Sequence, residues 1–144
     1  DWNEDHTNNV SKRSVKKSAK IGGSRILECD IDYPQDKYVD HIIQWKKEGI
    51  EVPIFIKYNG YEPHIDPHYS SRLELLSQAT IELMNIQQSD EGWYECKVTF
   101  LDGAKEKENN GTWTYLAVYS KYSFYKCLAL VNLAEFLFDL LVFI

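Results

Sequence analysis

A chain of 144 residues with seven glycines, four prolines and three cysteines carries little of what catalytic signatures are built from. It contains no Gly-x-Ser-x-Gly elbow and no glycine loop that could cradle a phosphate. Cys127 has no histidine near it in sequence to serve as a base. Basic residues are also scarce: 16 Lys/Arg stand against 22 Asp/Glu, a net charge of −6. The excess of acid lies between residues 21 and 118, because the first twenty residues are weakly basic and the last twenty-six are balanced. A phosphate backbone requires a basic face, so nucleic acid is excluded as a partner. No signal peptide is visible, the sequence begins at Asp1 without methionine, and the chain is expected to be a mature form or a fragment. His64, Asp66 and His68 are ligand-type residues, but Pro67 prevents a regular helix there and the segment reads as an ordered polar loop. No cofactor or metal is expected, and the chain is expected not to be an enzyme.

What is present is a framework of four residues. Cys29 lies in the alternating segment Arg25–Ile31, Trp45 in the apolar segment Ile42–Trp45, and Cys96 at the end of Asp90-Glu91-Gly92-Trp93-Tyr94-Glu95-Cys96. Cysteine, tryptophan and cysteine in that order, with a tyrosine two residues before the second cysteine, are the framework of an immunoglobulin sandwich. The disulfide ties the two sheets, the indole packs on it, and the phenol closes the turn into strand F. Closing 67 positions of chain is worth roughly 4 kcal/mol in the chain-entropy model. A structural disulfide implies an extracellular or cell-surface setting, and Cys127 is left over.

The expected fold is therefore all-β, an immunoglobulin variable-like β-sandwich over residues 21–118. A polar, basic leader of residues 1–20 is expected to be disordered. Strands are expected at about 24–31, 42–47, 53–58, 72–76, 80–84, 92–100 and 112–118. Arg72 and Asp90 are placed to form an ion pair at the lower edge. Strand G lacks the Gly-x-Gly bulge of antigen receptors. Two glycan acceptors fit the Asn-x-Ser/Thr pattern: Asn9 in the leader and Asn110, expected in the F–G loop.

Residues 119–144 change character. Tyr119–Lys126 is aromatic and basic, and the apolar run that follows is broken only by Asn132, Glu135 and Asp139. Those three share one face at helical spacing, so the tail reads as a hydrophobic helix with a narrow polar stripe. Apolar gain and carboxylate cost nearly cancel for spanning a bilayer. Membrane association, an alternatively spliced terminus and a helix packed on a partner all fit this composition.

The middle of the chain is more particular. Ile43-Gln44-Trp45, Val52-Pro53-Ile54-Phe55-Ile56-Lys57-Tyr58, Ile65-Asp66-Pro67-His68-Tyr69 with Arg72, Gly92–Asp102 and Asn110-Gly111-Thr112-Trp113 together resemble the first immunoglobulin domain of the Turtle/Borderless family. The vertebrate relatives of that family are called immunoglobulin superfamily member nine. The resemblance covers about 21–118. His68 stands where an acidic residue is expected. The tail departs from the family, whose members continue into further immunoglobulin and fibronectin type III domains and then a transmembrane segment. The resemblance implies a neuronal cell-surface adhesion protein acting by homophilic recognition in dendrite and axon branching and synapse formation. The alternative is a secreted, soluble binder of another receptor or ligand.

Strand parity supplies the candidate contact residues. If Tyr94, Cys96 and Val98 face the core, then Glu95, Lys97 and Thr99 face out. By the same rule Ile42, Gln44 and Lys46 on strand C and Trp113 and Tyr115 on strand G face out, with Tyr58 near the edge. The expected partner is a protein, a second copy or a related immunoglobulin-family surface protein.

Overall fold

The computed structural model describes residues 13–35, 38–102 and 105–142. Among the described residues nine strands form two sheets. The larger holds β1 (Ser14–Lys20), β9 (Lys105–Tyr119), β8 (Gly92–Asp102), β3 (Asp40–Lys47), β4 (Phe55–Tyr58) and β5 (His64–Ile65), in that order across the sheet. The smaller holds β2 (Arg25–Leu27), β7 (Thr80–Leu83) and β6 (Leu73–Ser77). Helix α1, Lys121–Val142, follows β9 after a single residue.

The facing surfaces are apolar because each strand contributes alternate residues to one side. Leu27, Trp45, Phe55, Ile81, Leu83, Tyr94, Cys96, Val98 and Leu116 are all fully buried between the sheets. Cys29 and Cys96 are bonded across this core, with 5.9 Å between their Cα atoms. The Trp45 indole N–H donates to the Ala79 carbonyl at 2.7 Å, so the largest core side chain also ties one sheet to the other.

Two expectations about boundaries need correction. Residues 14–20 are not a disordered leader: β1 runs parallel to β9 in seven-residue register, Ser14 opposite Trp113 through Lys20 opposite Tyr119. Its inward positions are Val15, Lys17 and Ala19, and Lys17 in such a position gives the segment a solvated look in sequence. The lysine stem is covered while its ammonium donates to the Ile26 carbonyl at 2.8 Å and sits 3.6 Å from Glu28. Second, β8 and β9 extend well past the disulfide, to Asp102 and from Lys105, so Asn110 lies within β9 opposite Lys97 and not in a loop. Asn9 lies outside the described residues.

The lower edge is held by a buried polar network. Arg72 meets Asp90 through two parallel bonds of 2.6 and 3.1 Å, and both side chains are at least nine-tenths buried. Asp90 also accepts from the Gln87 backbone N–H at 2.8 Å. The carboxylate beside it raises the Arg72 pKa above the ordinary guanidinium range, against an opposing push from burial. Tyr94 donates its hydroxyl to the Asp90 carbonyl at 2.5 Å, the tyrosine-corner contact. Burial above all raises the Tyr94 pKa, so the phenol stays protonated and remains a donor throughout the accessible pH range. Tyr94→Phe is expected to cost about 1–2 kcal/mol, the cost of one buried acceptor losing its donor. A guanidinium titration showing a lower midpoint with an unchanged slope checks this.

Candidate protein-interaction face

The outer surface of the six-stranded sheet is built from the alternate residues of its central strands. Register sets them side by side: Lys46 lies opposite Glu95, Gln44 opposite Lys97, and Ile42 opposite both Thr99 and Tyr58. On the other side of β8, Glu95 lies opposite Trp113 and Trp93 opposite Tyr115. The structure therefore brings Ile42, Gln44, Lys46, Tyr58, Glu95, Lys97, Trp113 and Tyr115 onto one surface. Lys46 and Tyr58 are exposed and the other six half-buried.

Thr99 is the exception. It is only 8% exposed, although its parity is outward. A short side chain in the middle strand of a sheet, beside Ile42, is shaded by longer neighbours, and it offers a partner almost no surface. Thr99 is withdrawn from the contact set.

Trp93 belongs in the set and was absent from it. Its ring lies 6.0 Å from that of Trp113 and 5.3 Å from that of Tyr115, both edge-on, so three aromatic rings form one cluster across β8 and β9. Such edge-to-face packing adds about 0.5–1.5 kcal/mol per pair beyond area burial and holds the rings in place. The signal was available: a residue next to inward-facing Tyr94 must face out. Rigid, half-exposed aromatics lose little entropy on contact, which is why they recur as anchors at interface centres.

The rest of the described surface offers less for chemistry. His68 is 3.2 Å from Asp66, whose carboxylate also accepts the His68 backbone N–H at 2.9 Å. That is a capped turn of the polar loop. Among the described residues no group of three or more His, Cys, Asp or Glu is arranged to hold a metal ion.

Two sheets with β1 paired to the end of β9, and with β4 and β5 added beyond β3, are the variable-type arrangement, and the immunoglobulin V-set domain family matches residues 12–119. The chain belongs to the immunoglobulin V-set family. By sequence the chain is 38% identical to human Protein turtle homolog B over 70% of the chain's length and 37% identical to Protein turtle of Drosophila melanogaster over 78% of it. It is 32% identical to Protein borderless of Drosophila melanogaster over 74%. The aligned part spans only 8% of either turtle protein and 15% of borderless. Among solved structures, the V domain of amphioxus IgVJ-C2 is similar at a TM-score of 0.61 and 28% identity, covering 72% of this chain and 99% of that one. Murine CRIg has the same fold at a TM-score of 0.61 and 19% identity, covering 72% and 92%. The match begins before residue 14 and so includes β1. The V-set domain is a non-enzymatic recognition domain of the immunoglobulin superfamily, a class found outside the cell or at its surface.

Proposed function

We propose that this V-set domain mediates cell adhesion by binding a second copy of itself through the outer face of the β9–β8–β3–β4 surface. The observation that carries the reading is the Trp93–Trp113–Tyr115 cluster beside the alternating charges Lys46, Glu95 and Lys97. A two-fold contact places the same patch on both partners, so a patch with an apolar anchor and both signs of charge can complement itself. Similarity to the Turtle and Borderless proteins supports a neuronal setting, in branching or synapse formation. Asn9 is proposed as a glycan acceptor in the same extracellular setting; Asn110, opposite Lys97 in β9, borders the contact face, and self-binding through that face requires it to be unmodified.

The test is aggregation of beads displaying the disulfide-bonded chain at high density, against beads bearing an unrelated immunoglobulin domain. Like beads alone should clump. Trp113→Ala and Lys97→Glu should each reduce clumping by about tenfold or more, the scale of an interface anchor. Lys97→Glu should leave the melting temperature within 2–4 °C, roughly the shift from 0.5 kcal/mol. Trp113→Ala, which also gives up its ring pair with Trp93, should lower it by about 4–8 °C, roughly the shift from 1 kcal/mol. Unchanged clumping in both variants rejects this face. Absence of clumping in the parent chain points to a different protein as partner.

A further inference from the structure

Helix α1 is the feature that the recognition face leaves unexplained. It begins on a cap, Ser120 Oγ accepting the Ser123 backbone N–H at 3.1 Å, so its start is specified locally. From Leu128 to Val142 its large apolar side chains are all about half exposed or more; Phe136, Phe138 and Leu141 are 61, 67 and 72% exposed. None of them rests on the sandwich. Asn132, Glu135 and Asp139 form a single stripe, and Lys121 falls on the same line at 100° per residue. From Leu128 to Val142 the remaining circumference is apolar. A partner helix or groove covers one face of a helix, whereas here only the narrow stripe needs water.

Among the described residues no helix is long and apolar enough to cross a membrane. Spanning would bring Glu135 and Asp139 into hydrocarbon, which is costly. Lying in the plane of the surface costs nothing of that kind, because the stripe stays wet. The helix start carries the matching charge. Lys20 at the end of β1 lies beside Lys121, and Lys126 with Tyr122 and Tyr125 completes a basic, aromatic first two turns. The Lys20 ammonium is held below the ordinary lysine range, first by lost hydration and then by its Lys121 neighbour. Two ammonium groups side by side are relieved by a phosphate between them, and tyrosines favour the depth at which phosphates lie.

We infer that α1 binds a phospholipid bilayer in its surface plane, with the Asn132–Glu135–Asp139 stripe facing water and Lys20 and Lys121 meeting lipid phosphates. It would hold the sandwich against the membrane independently of the adhesion face.

The experiment is flotation of the full chain with vesicles of phosphatidylcholine, alone and mixed with phosphatidylserine. The chain should float with both and more strongly with the anionic mixture. Leu133→Asp with Leu137→Asp should lower the bound-to-free ratio at least about tenfold on both, since a carboxylate is strongly disfavoured among acyl chains. Lys20→Gln with Lys121→Gln should remove the preference for phosphatidylserine. Neither pair touches the core, so melting temperature is the folding control. Orientation is read by labelling the single free thiol, Cys127, or, in a Cys127→Ser background, Asp139→Cys and Leu137→Cys. Iodide should quench the label at 139 and be excluded from 137. The inference is overturned by a chain that stays unbound, by Leu133→Asp/Leu137→Asp floating like the parent, or by equal shielding at 137 and 139, which means a spanning helix. A chain that leaves vesicles aside and forms dimers through α1 assigns the helix to a second copy and also overturns it.

Discussion

Arg72→Met is expected to lower the stability of the sandwich by about 3–5 kcal/mol, the usual loss when one partner of a buried ion pair is removed. The size follows from what stays behind. Asp90 is 1% exposed and has no route to water, so its carboxylate keeps only the Gln87 N–H and loses both guanidinium contacts. Arg72 also donates to the His68 carbonyl at 3.1 Å and to the Asn85 carbonyl at 3.2 Å, and its guanidinium lies 5.1 Å from the centre of the Tyr69 ring. One side chain thus ties the polar loop before β6, the turn after β7 and the entry to β8. Arg72→Met/Asp90→Asn should recover part of the loss, because a neutral amide is far cheaper to bury than a charge. Denaturant titrations of the two singles and the double, with the disulfide intact, measure that coupling. A single-variant cost below about 1 kcal/mol would mean that the pair behaves as a wet surface contact, and the bidentate geometry would then count for little.

The parts of this fold that are plain in the sequence share one property: each is a large or reactive side chain with one possible job. Trp45, Tyr94, Cys29 and Cys96 define the sandwich by order alone, and Arg72 and Asp90 follow once the strands are placed. Strand β1 is obscure because two of its three inward positions are not large apolar residues. Lys17 and Ala19 do the work of burial there through a stem and a methyl group. Its partner is also remote, since parallel pairing with β9 joins residues about a hundred positions apart. Neither hydrophobic pattern nor turn chemistry reports such a contact.

The recognition face divides in the same way. Alternation about Cys96 is enough to place Glu95 and Lys97 outward, and it also places Trp93 there. Thr99 shows what parity alone misses. Direction is set by the pleat, but exposure depends on how tall the flanking side chains are, and that is a property of three strands at once. Asn110 marks a different limit. Asp102-Gly103 signals a turn, yet how far the two strands continue beside each other depends on pairing energy along their whole length.

The triplet Asn110-Gly111-Thr112 leads to the second large effect. Between Glu95 opposite Trp113 and Lys97 opposite Asn110 the register slips by one, so Gly111 and Thr112 together face Cys96 as a bulge. A Cβ added at Gly111 would lie 2.2 Å from Cys96 Sγ, 2.8 Å from Cys29 Sγ and 3.2 Å from Ile31 Cγ1. The sulfurs cannot swing aside, being bonded to each other and anchored in β8 and in the segment just after β2. Gly111→Ala is therefore expected to cost about 3 kcal/mol or more, at or beyond the upper end for overpacking, and to leave free thiol after oxidative refolding. Thr112 is tied as well, its hydroxyl accepting the Asp30 backbone N–H at 3.2 Å. Packing thus explains two positions of the acceptor pattern without any glycan. Removing the sulfurs tests the cause. In a Cys29→Ala/Cys96→Ala background the added methyl has room, and the cost of Gly111→Ala should fall to about 1 kcal/mol or less, a non-additivity reserved for groups in contact. Full disulfide formation and a parental melting curve in Gly111→Ala would refute the steric argument. An undiminished cost without the sulfurs would instead locate the strain in the bulge backbone itself.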